Sequence, residues 1–154
     1  MQRRSFLKGF GVAAACAATL PYVATAAEST GVSSAMNLKS ATDAITGAKG
    51  VSESPKIKIE APEIAENGAV VPVKVTVDSP MSSSDYVKAI HILAAGNANS
   101  RCANIYLTPA NGEAFFGTRI KLGSTQDVVA IAELSDGSFI SAKQNVKVTI
   151  GGCG

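Results

Sequence analysis

The sequence predicts a mainly β protein: an immunoglobulin-like antiparallel β-sandwich, preceded by a short helix and followed by a flexible C-terminal glycine arm. Three observations predict it. First, apolar and polar residues alternate: Val71, Val73, Val75 and Val77 with Pro72, Lys74, Thr76 and Asp78, and Val146, Val148 and Ile150 with Lys147 and Thr149. Such alternation sets one face on a core and the other in water. Second, turn-forming residues separate the runs, at Glu66-Asn67-Gly68, Ser79-Pro80, Pro109-Ala110-Asn111-Gly112 and Ser135-Asp136-Gly137. Third, the runs number seven or eight, a count and spacing that suit a sandwich. Only the architecture follows, because the Cys…Trp…Cys hallmark of antibody domains needs a Trp and the chain has none.

The N-terminus reads as an export signal. Gln2-Arg3-Arg4-Ser5-Phe6-Leu7-Lys8 precedes an apolar run from Gly9 to Leu20, then Pro21 and Ala24-Thr25-Ala26. A charged start, a short apolar core and an A-x-A end define a secretory signal peptide, here residues 1–26. The apolar run is too short to span a bilayer, which takes about 20 helical residues. The adjacent arginines followed by Phe-Leu-Lys resemble the twin-arginine address, with Gln2 where Ser or Thr is usual. A lipoprotein would need a Leu-like residue three before Cys16; Ala13 stands there, so Cys16 leaves with the signal. The expected location is the periplasm.

Removing the signal changes the charge. The whole chain is 154 residues with 14 basic and 12 acidic side chains, a net charge of +2. Arg3, Arg4 and Lys8 go with the signal, which holds no acid, leaving 11 basic against 12 acidic side chains in 128 residues. A basic nucleic-acid binder is excluded. With 46% hydrophobic and 17% charged residues the composition is that of a globular domain, and only 5% aromatics argues against base-stacking platforms.

The mature chain divides in order into a leader and helix at 27–55, a sandwich at 56–150 and an arm at 151–154. Residues 27–34 are small and polar, a leader. Residues 36–48 offer Asn37 as a cap and Leu38, Ala41 and Ile45 on one face, a short amphipathic helix ending at Gly47 or Gly50. Residues 51–55 read as a connector. Ile57, Ile59 and Ala61 then alternate with Lys56, Lys58 and Glu60, as do Ile120 and Leu122 with Arg119 and Lys121. Residues 87–95 and 128–134 are continuously apolar, as central or doubly covered strands are. Short strands at 104–107 and 138–141 complete the count. Pro72 inside a strong strand predicts an edge or a bulge.

Chemically capable residues are few. There is no haem C-x-x-C-H motif, dinucleotide glycine loop or dense ligand cluster, so neither a cofactor, a metal site nor a catalytic constellation is expected. His91 is the only histidine and sits in an apolar run; alone it supplies neither a zinc site nor a Ser/His pair, and a packed histidine is the expectation. Cys102, beside Arg101, reads either as a thiol of lowered pKa or as a small residue in or near a loop. Arg101, Arg119 and Lys121 read as a docking patch or, more plainly, as solvated strand faces.

Cys153 is placed differently. It stands in Gly151-Gly152-Cys153-Gly154, beyond the last strand. Export to an oxidising compartment suggests a structural Cys102–Cys153 disulfide in a non-catalytic binding or structural module. Glycine on both sides suggests instead a thiol on a free backbone, able to enter other proteins. Four residues reach at most about 14 Å. Nothing in the tail lowers the thiol pKa from ~8.5, so partners must activate it. Residue patterns alone leave both readings open.

The twin-arginine signal, the small β-sandwich, the Ala-Pro-Glu-Ile-Ala-Glu-Asn-Gly-Ala-Val-Val-Pro-Val stretch at residues 61–73 and the Gly-Gly-Cys-Gly terminus together resemble the SoxY family. The resemblance covers essentially the whole mature chain. The family tail is usually Gly-Gly-Cys-Gly-Gly, against Gly-Gly-Cys-Gly here. It implies the sulfur-carrier subunit of the periplasmic thiosulfate-oxidising system: a substrate carrier, not an enzyme. Cys153 matches the carrier cysteine, holding thiosulfate-derived sulfur covalently, and Gly151, Gly152 and Gly154 match the flexible arm. The resemblance also implies partners: a SoxZ-like sandwich subunit forming a heterodimer, a c-type cytochrome that loads thiosulfate, and a di-metal hydrolase that releases sulfate. A partner lacking its own signal gives a reason for export in the folded state.

Overall fold

A computed structural model describes residues 36–152. The expected signal at 1–26, the leader at 27–34, Cys153 and Gly154 lie outside the described residues.

The chain opens with helix α1 (Leu38–Thr46). The side-chain oxygen of Asn37 accepts from the Ser40 amide at 2.9 Å, satisfying one of the helix's free donors. At the other end Gly47 takes the left-handed conformation, φ 62°, and returns its amide to the Asp43 carbonyl. Both ends fall where the sequence places them.

Nine strands follow: β1 (Val51–Glu53), β2 (Ile57–Glu60), β3 (Ile64–Asn67), β4 (Val71–Val77), β5 (Val87–Ala94), β6 (Arg101–Tyr106), β7 (Ala114–Ile120), β8 (Gln126–Leu134) and β9 (Phe139–Ile150). They form two packed layers. The larger sheet runs β1-β9-β8-β5-β6, with β3 also on β9; the smaller runs β2-β4-β7. Between them lie Val71, Val73, Val75 and Val77 of β4, facing Ile90 and Ile92 of β5 and Val128, Ala130 and Ala132 of β8. The period-two pattern of β4 is thus read out residue by residue as core and surface.

The far side of the larger sheet is covered by α1. Ala41 packs with Leu93, Ile131 and Phe139, with Leu38 and Ile45 at the margin. This explains the unbroken apolar run in β5: Ile92 faces the sandwich core and Leu93 faces the helix. Strands covered on both faces lose their alternation.

Several details differ from the sequence reading. Residues 51–53 are not a connector; β1 pairs in parallel with Phe139–Ser141. β3 also pairs with β9 in parallel, from Ile64↔Lys147 to Asn67↔Ile150, so the sheet is mixed rather than purely antiparallel. The expected turn at Glu66-Asn67-Gly68 therefore starts later, where the Asn67 side chain accepts from the Ala69 amide at 2.8 Å. The runs at 138–141 and 146–150 are one strand, β9, whose long free flank takes both β1 and β3. Pro72 lies on the middle strand of the smaller sheet, not on an edge strand. Its missing donor is tolerated because β2 pairs with β4 only as far as Lys74, which leaves the flank at Pro72 without that partner.

Candidate functional site at the root of the C-terminal arm

The last strand delivers the arm to a point where three backbone segments meet. The Gly68 amide donates to the Ile150 carbonyl at 2.7 Å, the Leu122 amide to the Gly68 carbonyl at 2.7 Å, and the Gly152 amide to the Leu122 carbonyl at 2.9 Å. Segments 67–69, 122–123 and 150–152 are thereby tied by main-chain bonds alone.

The spacing is possible only because the facing residues are glycines. A Cβ on Gly68 would collide with the Leu122 carbonyl oxygen and lie 2.8 Å from the Gly152 nitrogen. One on Gly152 would lie 2.7 Å from the Ala69 Cα, and one on Gly151 would strike the Gly123 carbonyl oxygen. None of the three has a left-handed backbone; among the described residues glycine takes positive φ only at Gly47, Gly112 and Gly137. Gly68, Gly151 and Gly152 are needed for close approach rather than for an unusual backbone angle. Of the arm, Gly151 and Gly152 are among the described residues; each lies against the backbone of another segment, Gly151 exposed and Gly152 half-buried.

A buried polar network braces one wall of this junction. Asn97 donates to the Lys121 carbonyl at 2.8 Å and accepts from the Gly123 amide at 3.0 Å and from the Gln126 side chain at 2.9 Å. The Gln126 carbonyl oxygen in turn accepts from the Gly96 amide at 2.6 Å. Leu122, whose carbonyl accepts from the Gly152 amide and whose amide donates to the Gly68 carbonyl, sits between the two backbone groups that Asn97 holds. Around the junction Ile64, Val70 and Ile150 are exposed apolar side chains, at 60%, 57% and 68%. The sequence reading used the arm glycines but missed Gly68, Leu122, Asn97 and Gln126. Gly68 stood in the sequence as part of an ordinary Asn-Gly turn and of the family-like stretch at 61–73, and neither pointed to the arm.

The other candidates lie elsewhere. Cys102 is on β6, not in a loop, and forms no disulfide among the described residues. Its Sγ lies 3.6 Å from the Ser100 carbonyl and packs against the sandwich core. Burial pushes its pKa up, outweighing a backbone hydrogen bond that lowers it, so neighbouring Arg101 does not produce the lowered pKa considered from sequence. His91 is 5% exposed on β5, edge-on to Tyr106 with ring centroids 6.2 Å apart. Burial first, and Arg101 second, hold its pKa below the usual imidazole value. With Arg101, Asn104 and Ile45, these two residues border a shallow cleft of about 110 Å³. A neutral imidazole and a protonated thiol make no nucleophilic pair there.

Arg101 belongs to the larger sheet, whereas Arg119 is on β7 of the smaller one and Lys121 follows that strand, so the three basic residues are divided between the two layers. Among the described residues no group of three or more His, Cys, Asp or Glu could hold a metal ion. No described helix is long and apolar enough to cross a membrane.

Comparison with known proteins places this geometry. The solved structure of the sulfur carrier protein SoxY from Chlorobium limicola f thiosulfatophilum is similar, with TM-score 0.63 and 32% identity, covering 74% of this chain and 97% of that one. A superoxide reductase (neelaredoxin) from Ignicoccus hospitalis is similar at TM-score 0.54 and 20% identity, over 60% of this chain and 80% of its own. The superoxide reductase from Nanoarchaeum equitans follows at TM-score 0.53 and 14% identity, over 63% of this chain and 100% of its own. At those identities the two reductases share the fold alone. No curated protein matches the chain. The sequence model of the sulfur oxidation protein SoxY matches residues 42–153, a span that runs from α1 through the sandwich to the cysteine after Gly151 and Gly152. With that span and the match to a sulfur carrier of the same fold, the chain belongs to the SoxY family.

Proposed function

We propose that this protein carries thiosulfate-derived sulfur covalently on Cys153 in the periplasm, and presents it to partner enzymes instead of catalysing turnover itself. The observation that carries the reading is the extent of the family match, which runs through residue 153. The described structure supports it by bringing the chain, at Gly152, to the surface beside exposed Val70 and Ile150. Cys102 offers no competing nucleophile, because burial raises its pKa.

The chemistry suits one thiol and several partners. The Cys153 thiolate and the outer sulfur of thiosulfate form a sulfur–sulfur bond with loss of two electrons, which a c-type cytochrome accepts. Water then cleaves the bond from that sulfur to the sulfonate group. The water oxygen leaves in sulfate, its protons are released, and the outer sulfur remains on Cys153 as a persulfide. A di-metal hydrolase performs this second step. A SoxZ-like sandwich joins the protein in a heterodimer, and the twin-arginine route exports the pair folded.

Cys153→Ser tests the reading in a reconstituted system. Thiosulfate-dependent reduction of the cytochrome should fall to background while thermal unfolding stays unchanged. Full reduction by the serine variant would remove the carrier role from Cys153.

A further inference from the structure

The carrier reading leaves open where the arm begins to move. Glycines before a carrier cysteine suggest a loose tether, yet Gly151 and Gly152 are each in backbone contact with another segment of the fold. The contact is two-sided. Gly68 and Ala69 approach Gly152 from β3, and Leu122 and Gly123 approach Gly151 and Gly152 from the end of β7. Only Gly68 can occupy its position without a Cβ meeting the Leu122 carbonyl and the Gly152 nitrogen.

We propose that Gly68 is a positioning residue for the carrier cysteine: with Leu122 and Gly123 it forms a backbone clasp on Gly151 and Gly152, so that Cys153 starts from a fixed anchor and reaches further only when the clasp opens. This rests on the carrier reading of Cys153. With the clasp closed, Gly152 is the last anchored residue before Cys153 in the chain. With the clasp open, three residues are paid out from Ile150, a reach of roughly 10 Å from the end of β9. Because the clasp consists of main-chain hydrogen bonds and glycine contacts, a single methyl group at residue 68 is enough to weaken it. Asn97 holds the Lys121 carbonyl and the Gly123 amide on either side of Leu122, and so keeps the fixed jaw in place.

Amide exchange at Gly152, followed by NMR on the mature protein, tests the clasp directly, together with the mobility of a nitroxide attached to Cys153 in a Cys102→Ser background. In the parent protein the Gly152 amide should be protected and the nitroxide spectrum broadened. In Gly68→Ala that protection should fall by about tenfold or more, the behaviour of a locally opened segment, and the spectrum should sharpen. Gly152→Ala attacks the same contact from the arm side. It lies beyond the last strand, so it keeps the test available if Gly68→Ala does not fold. Gly117→Ala on β7, whose Cβ has side-chain atoms of Phe115 and Lys74 as its nearest neighbours, should change neither reading. An unprotected Gly152 amide in the parent overturns the proposal. So does a Gly68→Ala protein with parental exchange or parental nitroxide mobility. Neither measurement involves sulfur transfer. If Gly68→Ala frees Gly152 but thiosulfate never attaches to Cys153, the clasp stands and the carrier reading fails.

Discussion

Gln126 donates its side-chain N–H to the side-chain oxygen of Asn97 at 2.9 Å, and the two residues, both largely buried, share the space behind Leu122. Removing the Asn97 side chain leaves the Lys121 carbonyl, the Gly123 amide and the Gln126 amide short of a partner at once. Buried groups stripped of partners cost about 1–3 kcal/mol. Asn97→Ala should therefore lower stability by about that amount, read as a reduced urea midpoint at unchanged slope. An unaltered midpoint would mean that water replaces the network without loss.

His91 makes stability depend on pH. Its folded pKa is lowered, chiefly by burial, so below about 6.5 the unfolded chain takes up the proton more readily than the folded one. The contribution of neutral His91 is present in full above that value and is lost as pH falls through the lower folded pKa. His91→Gln should flatten this acid-side loss relative to the parent, measured as unfolding free energy between pH 7 and pH 5. Identical pH profiles for the two proteins would contradict the buried, neutral assignment.

Cys102 should be dispensable. Its thiol is half-buried on β6 with a raised pKa, so it is a poor nucleophile near neutral pH. Cys102→Ser should keep full thiosulfate-dependent electron transfer in a reconstituted system, with a modest loss of stability from a hydroxyl beside the core. Loss of transfer in a folded variant would bring back a two-thiol scheme.

Much of this fold is legible in the sequence where one element decides its own structure. The alternating valines of β4 and the Asn37 and Gly47 caps of α1 carry their outcome locally. β1 and β3 do not. They are short, lack a clear period, and become strands only because β9, far along the chain, offers a free flank to both. The arm shows the same division. Gly151 and Gly152 are visible as an unusual run, but the backbone they lie against, at Gly68, Ala69, Leu122 and Gly123, is connected to the C-terminus by no local pattern. Glycine in a sequence signals absent side chains; whether that absence serves freedom or contact is settled by the neighbours.

Export can be tested apart from chemistry. Replacing Arg3 and Arg4 with Lys should leave the precursor in the cytoplasm, because the twin-arginine address is read by a receptor and charge alone does not satisfy it. The parent should reach the periplasm with its N-terminus at Ala27, after cleavage at Ala26. N-terminal sequencing and fractionation decide both points. Unchanged export of the lysine variant would remove the twin-arginine assignment.

The most direct measurement is the intact mass of the protein taken from the periplasm of cells oxidising thiosulfate. The carrier account predicts a mass increase from added sulfur species, removable by a thiol reductant, mapped to the peptide containing Cys153 and absent in Cys153→Ser. An unmodified Cys153 under those conditions, or a Cys102–Cys153 disulfide in its place, would contradict it.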